Sequence, residues 1–301
     1  MFRRVLFPTD LSSYATAVLN CLPDLRACGL RNVVLLNVIS PEQVALGHGV
    51  GQDLLQEVRQ IKEQKLELAR RALQRTGLSV RSRLEEGVPA VEIVRVAREE
   101  SVQLIVIGAQ GRTLLRDLLL GSVAWEVARR SPVPVLVEKL EVAKEFGAAR
   151  CRRVCADSFK VILHPTDFSD CANAAFQVVK RLQPPVAGQV ILLHVQDERV
   201  MQYCPQQQRN EFDREDIRRL EQMQKSLSLN SLPNKVLLRT GIPFIETLKV
   251  AEEENVSLIV LGTRGRSLIP KMVAGSTFEN VVRHSRRPVL AACALGAGDQ
   301  G

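Results

Sequence analysis

The sequence predicts an α/β protein of two tandem domains, each a five-stranded parallel sheet sandwiched between helices with strand order 3-2-1-4-5. Three observations predict it: an internal repeat with a period above 150 residues, strand-length apolar runs alternating with helical patterns, and a spaced set of glycines that recurs in both halves. A length of 301 residues suits about two such domains.

The repeat is direct. Residues 5–12 match residues 162–169 at an offset of 157, both carrying Pro-Thr-Asp after an apolar run, and residues 33–38 match 190–195 at the same offset. Residues 86–112 then match 240–266 at an offset of 154, so three residues are lost in between, in the variable loop after the second strand. A period of this size marks a duplicated domain rather than a solenoid.

In the first copy, apolar runs at 4–7, 33–38, 104–107 and 133–137 have the length and β-branched content of buried parallel strands, and a weaker alternating strand lies near 79–84. Helical patterns fall between them at about 12–27, 51–76, 89–100 and 116–130. Pro89 suits a first helical turn, where a missing N–H costs nothing, and Gly77 is a stop. The second copy repeats this with strands at about 160–164, 189–195, 235–239, 258–261 and 288–292, and a long helix at about 208–229. The domains therefore span 1–139 and 159–294, with a linker at 140–158 that has room for a helical turn over 140–148, and a tail at 295–301. The arrangement is Rossmann-like.

Composition narrows the function classes. The chain is 46% hydrophobic and 25% charged, ordinary for a globular protein, with only 4% aromatics. Its net charge of +8 divides into +4 over residues 1–140, +1 over 141–157 and +3 over 158–301, so no basic arm points to nucleic acid. There is neither a signal-peptide core nor a membrane-length apolar run, and a cytoplasmic location is expected. The seven cysteines form no dense framework, so buried free thiols are expected, with Cys151 and Cys155 as ordinary linker cysteines. His164 and His194 fall at the ends of two adjacent strands. They are too few for a metal site, and local hydrogen bonding or packing is expected of them.

The fourth strand of the first copy runs into Gly108, Gly111 and Arg112, then Gly121-Ser122 nine residues after Arg112 begins the stretch; the second copy reads Gly262, Gly265, Arg266 and Gly275-Ser276 with the same spacing. Glycine lets backbone approach a ligand closely, and N–H groups at the start of the next helix hold an anion. Turn chemistry alone is the competing explanation. Neither copy has the lysine-bearing phosphate loop of phosphate-loop ATPases or a dinucleotide fingerprint after its first strand. Asp10 and Asp167 occupy that place instead, where a carboxylate either accepts from a ribose or base or favours the helix start; both roles can hold together.

With these residues in hand, the chain resembles the universal stress protein family in its tandem form, over nearly all of both copies. The signature of ATP-binding members, G-x2-G-x9-G-[ST], is met in each. The resemblance implies a nucleotide site of Asp10, Val38, Gly108, Gly111, Arg112, Gly121 and Ser122, and a second of Asp167, Val195, Gly262, Gly265, Arg266, Gly275 and Ser276. The aspartates would hold ribose or base, Val38 and Val195 would contact adenine, and the rest would surround the phosphates. ATP is the implied ligand, with Mg²⁺ held mainly by the phosphates. The family also pairs through its fifth strands, which implies an intrachain pseudo-dimer joining 133–137 to 288–292 and leaves further homodimerisation open.

No side chain near the loops is an obvious activating base, so an efficient enzyme is not expected. Three functions stay open: an ATP-binding stress or signalling module whose occupancy changes its affinity for a protein partner, a slow ATPase or self-phosphorylating enzyme using the same crevice, and a scaffold without nucleotide. The Thr263-Arg264 pair makes the second loop more electropositive than Ala109-Gln110, and loop charge alone ranks the second site as the better triphosphate holder.

Overall fold

The computed structural model describes residues 1–40, 52–109, 120–145, 148–153, 159–182, 184, 186–229, 231–265 and 276–292. The chain divides into two compact units, Met1–Val154 and Cys155–Gly301.

The first unit runs β1 (Arg4–Pro8), α1 (Ser13–Leu19), β2 (Asn32–Ile39), α2 (Gln52–Gln74), β3 (Ser79–Glu86), α3 (Pro89–Glu99), β4 (Leu104–Gly108), α4 (Ser122–Arg130) and β5 (Val135–Glu138). These strands form a parallel sheet in the order β3-β2-β1-β4-β5, as expected. The apolar strands are buried almost throughout, with Val5, Leu6, Phe7, Leu35, Leu36, Leu104 and Ile105 at 1% exposure or less. Each such side chain contributes about 1.5–3 kcal/mol on burial, and the helices on both faces are what make it possible. The outer strand β3 buries little beyond Val80 and carries Arg81, Arg83, Glu85 and Glu86, charges that guard an edge against further strand pairing.

Two local departures have clear causes. The first helical pattern, expected to run unbroken over 12–27, stops at Leu19 and resumes as a 3-10 segment, Leu22–Cys28. Pro23 lacks the N–H that a continuing α-helix needs, and Gly29 at φ 92° closes the segment. The described residues of 140–148 in the linker are strand, not the helical turn for which there was room. The linker carries β6 (Leu140–Glu145) and β7 (Ala148–Arg153), paired antiparallel from Leu140↔Arg153 to Glu145↔Ala148. Only two residues separate these strands, the connection length of a tight hairpin.

The second unit repeats the first with β8 (Val161–Pro165), α5 (Asp170–Arg181), β9 (Gln189–Asp197), a short α6 (Glu198–Met201), α7 (Gln206–Ser228), β10 (Asn234–Gly241), α8 (Pro243–Glu253), β11 (Leu258–Gly262), α9 (Ser276–His284) and β12 (Val289–Ala292). Its parallel order is β10-β9-β8-β11-β12. In both units the chain reverses its direction of travel across the sheet between the first and fourth strands. Right-handed crossovers then send the loops after those two strands to opposite faces and open a crevice at their carboxyl ends.

The long helices α2 and α7 have 23 residues each and start 154 residues apart. Leu66 and Leu73 are buried on α2, and their counterparts Leu220 and Leu227 are buried on α7, so the two helices face their sheets in the same register.

The expectation of buried free thiols holds for Cys28, holds in part for Cys204, which is free but only half-buried, and fails at Cys171, which is disulfide-bonded. Burial pushes the Cys28 thiol up to about 12, which keeps it protonated and unreactive.

Candidate functional site

In each unit the chain leaves the first strand through one conserved piece of local architecture: Thr9-Asp10-Leu11-Ser12 and Thr166-Asp167-Phe168-Ser169. Thr9 and Thr166 amides donate at 2.8 Å to the carbonyls of Leu36 and Leu193 on the neighbouring strand. The threonine hydroxyls accept from the Leu11 and Phe168 amides, and Oδ1 of each aspartate accepts from the Ser12 or Ser169 amide, all at 3.0 Å. Leu11 and Phe168 are thereby held at φ 61° and 60°, a left-handed backbone that is costly for such side chains. The caps of α1 and α5 are Ser12 and Ser169, which accept from Ala15 and Ala172. Capping therefore falls to the serines, while each aspartate uses Oδ1 to hold the turn at the mouth of the crevice.

In the first unit that mouth opens into a cavity of about 370 Å³, lined by Asp10, Asn37, Val38, Lys62, Gly108 and the first turn of α4, among others. Such a volume lies within the range of roughly 300–1,000 Å³ usual for small-molecule sites. Five expected site residues, Asp10, Val38, Gly108, Gly121 and Ser122, meet here. Gly121 caps α4, its amide donating to the Ala109 carbonyl at 2.8 Å. The first turn of α4 contains no acidic residue, so no carboxylate of its own competes for its N–H groups.

Four further lining residues, not anticipated from the sequence, bear on what the cavity can hold. Asn37, 1% exposed, donates from Nδ2 to the Thr9 carbonyl at 2.6 Å, while its buried Oδ1 has no hydrogen-bond partner among the described residues. Lys62 is 9% exposed and reaches the cavity from α2. Pro89, together with Ile93, supplies an apolar wall from the start of α3. Opposite Gly108 in the β4–β5 register sits Glu138, buried with Oε2 unpartnered among the described residues, and burial pushes its carboxyl up to about 7. Gly111 and Arg112 lie outside the described residues.

The second unit brings Asp167 and Gly265 together, while Gly262 lies against the start of α5. A Cβ on Gly265 would lie 2.6 Å from Asp167 Oδ2, so the loop passes directly over that carboxylate. A Cβ on Gly262 would lie 2.6 Å from the Cys171 carbonyl carbon and 2.7 Å from the Ala172 nitrogen, so this glycine permits the start of α5 to press against the end of β11. Val195 is half-buried on β9. Arg266 and Gly275 lie outside the described residues, and Ser276 opens α9 without a described side chain.

The histidines follow the hydrogen-bonding and packing expectation. His164 is fully buried, donates from Nδ1 to the Val260 carbonyl at 2.8 Å and stacks on Phe176 at 5.6 Å, and desolvation lowers its pKa to about 4. His194 occupies the place of Asn37 and donates from Nδ1 to the Thr166 carbonyl at 2.7 Å. Its ring lies 4.7 Å from Phe168, with the Arg219 guanidinium 5.3 Å over the other aromatic, and its Nε2 is 3.4 Å from Asp216 Oδ2. Gln196 bridges Asp213 and Asp216, donating from Nε2 to both at 3.0 Å.

Comparison with known proteins agrees with this fold. The model of the universal stress protein family matches residues 1–139 and again 158–292. Universal stress protein MJ0577 of Methanocaldococcus jannaschii is 32% identical over 151 residues, covering 44% of this chain and 93% of that protein. Universal stress protein YxiE of Bacillus subtilis is 30% identical over 144 residues, covering 44% of this chain and 97% of its own length. The crystal structure of a universal stress protein from Archaeoglobus fulgidus has the same fold over 98% of this chain and 99% of its own, with a TM-score of 0.74 at 24% identity. Relatives matched over nearly their whole length thus cover 44% of the chain, and the Archaeoglobus structure covers 98% of it. The chain belongs to the universal stress protein family and is a duplicated, two-domain member of it.

Proposed function

We propose that the first unit binds an adenine nucleotide, ATP with Mg²⁺ held mainly by its phosphates, and that the protein is a stress-response or signalling module whose occupancy alters its affinity for a protein partner. The observation that carries this is the convergence of Asp10, Val38, Gly108, Gly121 and Ser122 on one cavity at a helix N-terminus. The chemistry of the walls fits such a ligand. An acceptor without a partner, Asn37 Oδ1, suits an exocyclic amine, and leaving it unfilled in a buried site costs about 1–3 kcal/mol. The Pro89 and Ile93 surface suits the face of a base, and the α4 amides suit phosphate oxygens.

Glu138 is buried in the strand beside β4 and is absent from the cavity lining, and no imidazole lines the cavity among the described residues. Slow turnover, if any, is the expectation from those groups. Ligand binding stabilises the native state by mass action, about 2.7 kcal/mol at a hundredfold excess over Kd. ATP with Mg²⁺ should raise the Tm of the intact chain by several degrees. Ser122→Asp, which places a carboxylate where it favours the helix but repels phosphate, should abolish the shift while leaving the unliganded Tm near its wild-type value. No shift with ATP, ADP or AMP would overturn the proposal.

A further inference from the structure

We infer that the two units do not share the ligand: the first takes the nucleoside polyphosphate, the second rejects it, and the residue that decides is the one at the cavity face of the long helix, Lys62 in the first unit and Asp216 in the second. The inference rests on the reading of the first cavity as a nucleotide site. It reverses the ranking that the charge of the glycine loops alone suggests.

The equivalence of the two positions is structural. Helices α2 and α7 have equal length and the same buried leucines, Leu66 with Leu220 and Leu73 with Leu227. In that register Lys62 corresponds to Asp216, Arg59 to Asp213 and Lys65 to Arg219. At these three positions the first unit has three cations, whereas the second has two carboxylates and one guanidinium. The neighbouring strand has changed as well. Asn37, whose Oδ1 has no partner among the described residues, is replaced by His194, whose ring packs against Phe168 and whose Nε2 faces Asp216.

The consequence is a difference of both charge and occupancy. In the first unit a cation lines the cavity together with an unpaired acceptor. In the second, the equivalent positions are tied together as His194–Asp216–Gln196–Asp213, with the Asp216 side chain only 16% exposed. A polyphosphate approaching there meets carboxylates that are partly screened from solvent and must also break that network. Like charges at such range repel strongly, and each rearranged hydrogen bond adds to the cost.

The test is a calorimetric titration of the intact chain with ATP and Mg²⁺. One binding event per chain is expected. Lys62→Met, which keeps the length and apolar stem of a nearly buried side chain, should weaken it about tenfold, and Lys62→Asp more than that. Asp216→Lys should add a second event. Asp216→Asn, which removes the charge but retains an acceptor for Gln196, should add a weaker second event and covers the case in which the lysine variant misfolds. Two events of equal affinity in the wild type, or a single event indifferent to Lys62, would overturn the inference and leave the nucleotide proposal intact. No heat with any adenine nucleotide would overturn the proposal on which it rests.

Discussion

Gly262→Ala is expected to destabilise the second unit by about 3 kcal/mol, a fall in Tm of roughly 10 °C, because its methyl group collides with backbone rather than with a movable side chain. The atoms it meets are the Cys171 carbonyl carbon at 2.6 Å and the Ala172 nitrogen at 2.7 Å, both fixed by the first turn of α5. The matching experiment is Gly265→Ala. Its Cβ meets Asp167 Oδ2 at 2.6 Å, and the next nearest atom is the carboxyl carbon at 3.7 Å. A carboxylate end can rotate away, so the second variant should fold with nearly wild-type stability. Thermal unfolding of the two variants side by side separates a glycine that packs on fixed backbone from one that lies against a movable carboxylate. Equal losses would refute that distinction.

The second large effect is on acid stability. His164 is buried neutral, with desolvation holding its pKa near 4 against 6.5 for an exposed ring. Above pH 6.5 both folded and unfolded chains hold it neutral, and it contributes no pH dependence. As pH falls below 6.5 the unfolded chain takes up a proton that the folded chain refuses, so stability declines until about pH 4. At pH 5 the loss from this one residue is about 2 kcal/mol. The first unit shows how to remove it: its equivalent position is Phe7, fully buried at the same place in β1. His164→Phe should lose some stability at pH 7 with its hydrogen bond to Val260, yet the drop between pH 7 and pH 5 should shrink by about that 2 kcal/mol. Denaturant melts at the two pH values measure it. An unchanged difference would mean that the acid sensitivity lies elsewhere.

Much of this molecule was legible in its sequence because the signals are local. Strand-length apolar runs, Pro89 opening a helix and the strand-end glycines each act through their own backbone, and the structure forms the expected elements at those places. The aspartates were legible in position but only half in role. Their sequence context suggested a helix cap, and the cap turned out to be the serine two residues on. The hairpin at β6 and β7 was hidden because its strands mix charge with alanine and show no clean alternation.

Lys62 was missed for a different reason. Charges on a long helix normally mark its solvated face, and α2 is rich in them. The signal was nonetheless present: Lys62 stands four residues before Leu66 and eleven before Leu73, on the stripe that turns inward, and Asp216 stands likewise before Leu220 and Leu227. A charged residue on the apolar stripe of a helix that borders a switch point is worth reading as part of the site. The His194–Asp216 contact, in contrast, joins residues on different elements and could only be seen once β9 and α7 were placed.

The most direct measurement is a crystal structure of the intact chain grown with ATP and Mg²⁺. The nucleotide should occupy the first-unit cavity, with its phosphates at the first-turn amides of α4, Ser122 and Val123, and its base toward Asn37 and Val38. A first-unit cavity left empty at saturating nucleotide, or nucleotide seated only against Asp167 and Gly265 in the second unit, would contradict the account.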